Sequence, residues 1–179
     1  MNSLGRVTVK RIDNNLVQKE IYSDTDLGQS IDFDDDSYQK LSKHHDFLIK
    51  LKQIDQISNS HIIFITEYVD GVTLHNYYSN NQISYNEKLS HFNQILHWSA
   101  IMFNFSKNNQ QMGKLWRPDS NQSLVYSHDD MHFENILITK NGKLKLIDPD
   151  AFRWASLSGF YINMIRGLHD GIRQIYPEF

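Results

Sequence analysis

Apolar and polar positions alternate with a period of two along the first third of the chain. RVTVKRID (6–13) and LVQKEIY (16–22) are β-rich runs with Asn14 and Asn15 between them, which predicts a hairpin. DFDDD (32–36) precedes SYQKLSKHH, and acids in front of a short helical pattern suit the positive end of a helix dipole. FLIKLKQI and HIIFITEY, dense in β-branched and aromatic residues, predict two more strands. EYVDG (67–71) breaks that pattern. Beyond it the period lengthens to that of a helix. Ser84 and Glu87 form the S-x-x-E capping-box signature. Tyr85, Leu89, Phe92, Leu96, Ala100 and Phe103 follow at spacings of three and four, predicting a long helix with these residues as its apolar face. The polar stretch 107–123, with Gly113 and Pro118, reads as a loop. SLVY then leads to ILIT and LKLI, which flank Lys140-Asn141-Gly142-Lys143. Asn-Gly between aliphatic runs predicts a second hairpin. From Leu157 to Ile175, Tyr161, Ile165, Leu168, Ile172 and Ile175 recur as on a helix, which Gly167 and Gly171 weaken.

Composition narrows the function. A length of 179 residues suits one compact domain or two small lobes, and 40% hydrophobic residues can fill a core. The net charge of −3 predicts no general attraction to nucleic acid. The chain has no cysteine, which excludes disulfides, zinc thiolate sites and cysteine nucleophiles. No apolar run approaches the length of a membrane span, and MNSLGRVTVKRID lacks the core of a signal peptide. The expectation is a cytoplasmic protein, with export by a route without a cleaved signal left open.

Candidate chemistry gathers in HDDMHFENILITKNGKLKLIDPD (128–150), where carboxylates crowd against aliphatic strand. Acids this dense repel each other and resist burial, so a cation or a reacting group is the usual reason to keep them. His128-Asp129-Asp130-Met131-His132-Phe133-Glu134-Asn135 matches H-x-D-x-x-x-x-N, and Asp148 closes an aliphatic run beyond the hairpin. These residues resemble the catalytic loop and metal-binding segment of the protein-kinase-like superfamily. His132, where many protein kinases carry Lys, is more similar to aminoglycoside-, choline- and related small-molecule phosphotransferases. The resemblance runs over about residues 6 to 152.

The resemblance implies an α+β, minimal two-lobed protein-kinase-like fold. A small antiparallel sheet with one helix would form an N-lobe over 1–69. A mainly helical C-lobe with a small hairpin would occupy 70–179. It implies ATP and Mg2+ as cofactors and transfer of the γ-phosphoryl group to a hydroxyl, because that reaction needs metal to neutralise phosphate oxygens and an acceptor held in line. Asp130 would orient the hydroxyl and accept its proton, and Asn135 and Asp148 would hold the metal. FITEYVDG resembles the last strand and hinge of the smaller lobe, so Glu67 and Val69 would offer backbone groups to adenine. Lys19 in LVQKEIY would contact the α- and β-phosphates, with Lys10 the rival lysine. Its acidic partner maps to Asp34, with Asp35 beside it. Asp34 to Asp36 read equally well as a solvated helix start, His128 as a structural residue under the loop, and Asp150 as a second metal ligand or a cap.

Several departures matter. No G-x-G-x-x-G precedes Lys19, and Gly5 is alone in that region. The metal triplet is Asp148-Pro149-Asp150, without the Phe of D-F-G. Asp129 stands where many regulated kinases have the Arg that receives a phosphorylated loop, so control by loop phosphorylation is not expected. Only 31 residues follow Asp148, too few for extended peptide-docking helices. The acceptor expected is a small molecule such as a sugar or glycolipid precursor. Two alternatives stand beside it: an atypical minimal Ser/Thr protein kinase, and a pseudokinase that binds without catalysis. A third reading, a transition-metal site on His128 and His132, leaves Asn135 and Asp148 without a purpose.

Overall fold

The computed structural model describes residues 6–22, 33–116 and 122–175; Gly5, Asp32 and Pro118 fall outside these. The chain is α+β and folds as two compact units. One combines 1–33, as far as described, with 49–69. The other combines 34–48 with 70–179.

The first unit is a four-stranded antiparallel sheet in the order β1-β2-β4-β3, built from β1 (Val7–Arg11), β2 (Leu16–Tyr22), β3 (Leu51–Ser58) and β4 (His61–Glu67). The expected hairpin over 6–22 is present, with Arg11 paired to Val17 and Val7 to Ile21. Its turn is held by Asp13, whose carboxylate accepts from the Asn15 amide at 2.6 Å. Alternation decides which side chains are covered: Ile62, Phe64 and Thr66 on β4 are buried, with Phe33 set edge-on to Phe64 at 5.1 Å.

The second unit holds α1 (Asp35–His44), β5 (Gly71–Thr73), α2 (Leu74–Asn80), α3 (Tyr85–Asn108), α4 (Gln110–Trp116), β6 (Leu124–His128), β7 (Ile136–Thr139), β8 (Leu144–Leu146), β9 (Phe152–Ser156) and α5 (Leu157–Ile175). Two small sheets, β5-β7-β8 and β6-β9, carry the loops between them. The Asn-Gly hairpin forms as expected: Ile136 pairs with Leu146, and Gly142 takes a φ of 75°, which a side chain would resist. Among the described residues, no helix is long and apolar enough to cross a membrane.

Three expectations need correction. The strand expected from Phe47 begins at Leu51. Phe47 and Leu48 are buried in the second unit, where Leu48 bridges Leu146 and the Phe47 carbonyl accepts from the Leu146 amide at 2.7 Å. Within the expected loop 107–123, α3 runs on to Asn108 and 110–116 form α4. The Gln110 side chain exchanges two hydrogen bonds with the Leu124 backbone, so a polar residue does a structural task there. The buried face of α3 is His91, Ile95, Trp98, Ser99, Met102 and Ser106, while Tyr85, Leu89 and Phe103 of the expected face are exposed. Its polar members are satisfied internally. Ser99 and Ser106 donate to carbonyls one turn back, and His91 Nδ1 meets the Tyr78 hydroxyl at 3.0 Å. Ser106 Oγ also accepts from the Tyr126 amide at 2.8 Å, fixing β6 against α3.

At the centre of this unit Trp154, Tyr126, Tyr38 and Phe152 are fully buried. Gly113 is set by that packing, because a Cβ there would lie 2.8 Å from the Trp154 ring. The ring cannot yield freely, since its Nε1 donates to Asp34 Oδ2 at 2.8 Å. Gly113→Ala gains up to about 1 kcal/mol in helix propensity and loses about 1–3 kcal/mol to overpacking. A net loss of stability is expected, read as a lowered urea midpoint.

Candidate active site

The segment 128–135 starts where β6 ends. His128 is 2% exposed, and both ring nitrogens are engaged by backbone: Nε2 donates to the Ile147 carbonyl at 2.9 Å, and Nδ1 accepts from the Asp130 amide at 3.2 Å. The imidazole therefore joins the catalytic-loop candidate to the residue before Asp148. Burial pushes its pKa from 6.5 down to about 4, against weaker pulls upward from the Ile147 carbonyl and the Asp148 and Asp130 charges. Between those two values the unfolded chain binds a proton that the folded chain refuses. Stability from this group is complete above pH about 6.5 and is lost as pH falls towards 4, up to about 3 kcal/mol in all. Urea midpoints from pH 7.5 to 4 measure this; an unchanged slope in His128→Asn would show that another group is responsible.

Asp130 follows on an exposed turn, its side chain 67% accessible. Its Oδ2 lies 3.2 Å from His132 Nε2 and 3.1 Å from Asn135 Nδ2. His132 Nδ1 accepts from the Glu134 amide, so the ring proton sits on Nε2 and points to Asp130. Asn135, 8% exposed, also donates Nδ2 to the Asp130 carbonyl at 2.8 Å. With its NH2 group committed to Asp130, the amide oxygen of Asn135 is turned away from that residue. The structure thus brings Asp130 and Asn135 together.

Asp148 reaches the same end of the hairpin through the backbone. Ile136 pairs with Leu146, and the Ile147 amide donates to the Asn135 carbonyl at 2.9 Å. Among the described residues Asp148 is the non-glycine residue with positive φ (φ 61°, ψ 67°), ahead of a short 3-10 turn, Pro149–Ala151. Such backbone costs roughly 1–2 kcal/mol in a residue with a Cβ and concentrates at functional sites. Among the described residues, no three His, Cys, Asp or Glu side chains cluster as a metal site.

Of the other predicted residues, Lys19, Lys10, Glu67 and Val69 belong to the first unit. Lys19 is on β2, with Val9 and Phe64 as its cross-strand partners. Lys10 is 61% exposed and 3.8 Å from Glu20, a weak surface pair. Glu67 ends β4, its carboxylate accepting from the Lys50 amide at 3.0 Å, and Val69 lies in the irregular stretch after it. Asp34, in the second unit, is the N-cap of α1. Oδ1 accepts from the Ser37 amide at 3.1 Å, Oδ2 from Trp154, and its carbonyl from the Tyr126 hydroxyl at 3.0 Å. A carboxylate has about four acceptor positions, so these bonds leave capacity for a cation.

The sequence did not reveal what surrounds Asp129. Its Oδ1 accepts from Asn163 Nδ2 of α5 at 3.0 Å, and its Oδ2 lies 2.7 Å from Arg153 Nε of β9. The Arg153 N–H is not aligned on that oxygen, so the contact is an ion pair rather than a hydrogen bond. A cavity of about 460 Å³ opens beside Asp130, lined also by Met131, His132, Asn163, Ile165 and His169. The one signal for it in sequence was the helical spacing of α5, which does not say which loop the helix meets.

No protein-family model and no curated protein matches the chain. The fold is protein-kinase-like: among solved structures, the chain is similar to the kinase PK-1 of Cydia pomonella granulovirus. The match has a TM-score of 0.52 at 17% identity, over 83% of this chain and 48% of the viral one, so the chain spans about half the length of that kinase. This likeness carries the fold. The aminoglycoside- and choline-type affinity expected from His132 finds no support in it.

Proposed function

We propose that the chain is an ATP- and Mg2+-dependent phosphotransferase acting on a hydroxyl group of a small molecule, such as a sugar or glycolipid precursor. One observation supports this reading. The Asn135 amide is held by the Asp130 backbone and carboxylate, and the β7-β8 pairing, with the Ile147 amide donating to the Asn135 carbonyl, sets the Asp148 backbone at the same end of the hairpin. An amide oxygen and a carboxylate are hard donors, the chemistry that Mg2+ prefers. Asn135 Oδ1 and Asp148 would hold the metal. Lys19, with Asp34 as its partner, would hold phosphate, and Glu67 and Val69 the adenine. Bound MgATP would supply the γ-phosphoryl group with its charge neutralised. Asp130, exposed and aimed by His132 and Asn135, orients the acceptor hydroxyl and takes its proton.

The cavity beside Asp130 supports a small uncharged acceptor. Asp129 and Asp130 both stand in its lining, so an anionic acceptor would meet carboxylates there. A volume of about 460 Å³ falls within the small-ligand range. The exposed Tyr161, Ile162 and Ile165 on α5 favour, as a second reading, a Ser or Thr side chain of a protein acceptor.

The test is incubation with Mg2+ and γ-labelled ATP, alone and with neutral sugars, phosphorylated sugars and a Ser/Thr peptide. Label should pass to a neutral hydroxyl compound and stop with a chelator. No transfer and no hydrolysis, with a nucleotide-induced rise in melting temperature, would point to the pseudokinase. Neither effect would remove the nucleotide reading altogether.

A further inference from the structure

We propose that Asp129 is a positioning residue that clamps the segment carrying Asp130 to the two elements that follow Asp148; the inference rests on the phosphotransfer reading above. The Asp129 backbone already meets the 3-10 turn just ahead of β9, its amide donating to the Ala151 carbonyl at 2.9 Å beside the His128–Phe152 pair. The carboxylate adds what backbone pairing cannot. One oxygen faces Arg153, across from Ser127 in the β6-β9 ladder, and the other accepts from Asn163 on α5. Three elements therefore meet on a single side chain, one residue before Asp130.

Exposure decides what kind of effect this is. Asp129 and Arg153 side chains are 21% and 43% accessible, so their pairing adds little to global stability. Orientation is different, because a reacting group displaced by about 1 Å loses about a hundredfold in rate. Asp130 is held laterally by His132 and Asn135, both on its own loop. The Asp129 side chain adds to the backbone pairing a direct link from that loop to Arg153 of β9 and Asn163 of α5. The clamp is intrinsic to the chain, because Arg153 and Asn163, the partners of the Asp129 carboxylate, are its own side chains.

The experiment compares the unmodified protein with Asp129→Asn, Arg153→Gln, Asn163→Ala and the exchanged pair Asp129→Arg/Arg153→Asp. Each is measured for kcat, KM for ATP, melting temperature and amide exchange over 129–135. The single variants should keep KM for ATP and the melting temperature. They should lose about tenfold to a hundredfold in kcat and exchange these amides about tenfold faster. The exchanged pair should recover both kcat and protection. Unchanged kcat and exchange in the singles, or an exchanged pair that recovers neither, overturns the proposal. Exchange needs no turnover, so a chain without transferase activity would sink the phosphotransfer reading while the clamp is still decided by protection.

Discussion

Asp130→Ala is expected to keep nucleotide affinity within about threefold while lowering turnover by at least about a hundredfold. The split follows from how Asn135 is held. Its Nδ2 donates both to the Asp130 carboxylate at 3.1 Å and to the Asp130 backbone carbonyl at 2.8 Å. Alanine removes the first acceptor and retains the second, so the amide keeps its orientation and its oxygen stays available to a metal. The lost side chain is 67% exposed, which makes the cost to folding small. What disappears is the group that would take the acceptor's proton. Calorimetric affinity and steady-state turnover measured on one preparation check both halves. Wild-type turnover would remove Asp130 from the chemistry, and a large loss of affinity would show that Asn135 depends on its carboxylate.

Local signals that coincide with local structure were legible in the chain. Asn141-Gly142 forms its turn, Ser84 caps α3 by accepting from the Glu87 amide at 3.3 Å, and α5 spans Leu157–Ile175 as its periodicity implied. The side chains of Leu168, Ile172 and Ile175 lie outside the described ones. The motif spacing from Asp130 to Asn135 likewise became a contact, because five residues make one turn and a 3-10 step. Failure came where a polar residue serves the interior. Ser99, Ser106 and His91 concealed the buried face of α3, and Gln110 concealed α4, because periodicity weighs side-chain polarity and not the hydrogen bond that cancels it. Phe47 and Leu48 had strand composition, and burial in another unit overrode it. The partners of Asp129 lie 24 and 34 positions away, on elements whose meeting depends on the ladder between β6 and β9. No short-range pattern carries that information.

Asp148 offers the other large effect, and backbone conformation makes it a two-sided test. Its φ of 61° is one that glycine adopts freely and a residue with a Cβ does not. Asp148→Gly should therefore relieve backbone strain of roughly 1 kcal/mol, offset in part by the extra freedom of glycine in the unfolded chain. The net result is a melting temperature equal to wild type or up to about 3 °C higher. Asp148→Ala keeps the strain. Both remove the carboxylate, so both should lose the rise in melting temperature that Mg2+ and ATP together produce on the wild-type protein. A residue that gains or holds stability when replaced, while ligand linkage vanishes, is kept for binding and not for folding. If Asp148→Gly instead unfolds the protein, the carboxylate is a structural element of the turn before Pro149. If either variant retains the full Mg2+-dependent shift, the metal is held elsewhere and the site proposed on Asn135 and Asp148 is wrong.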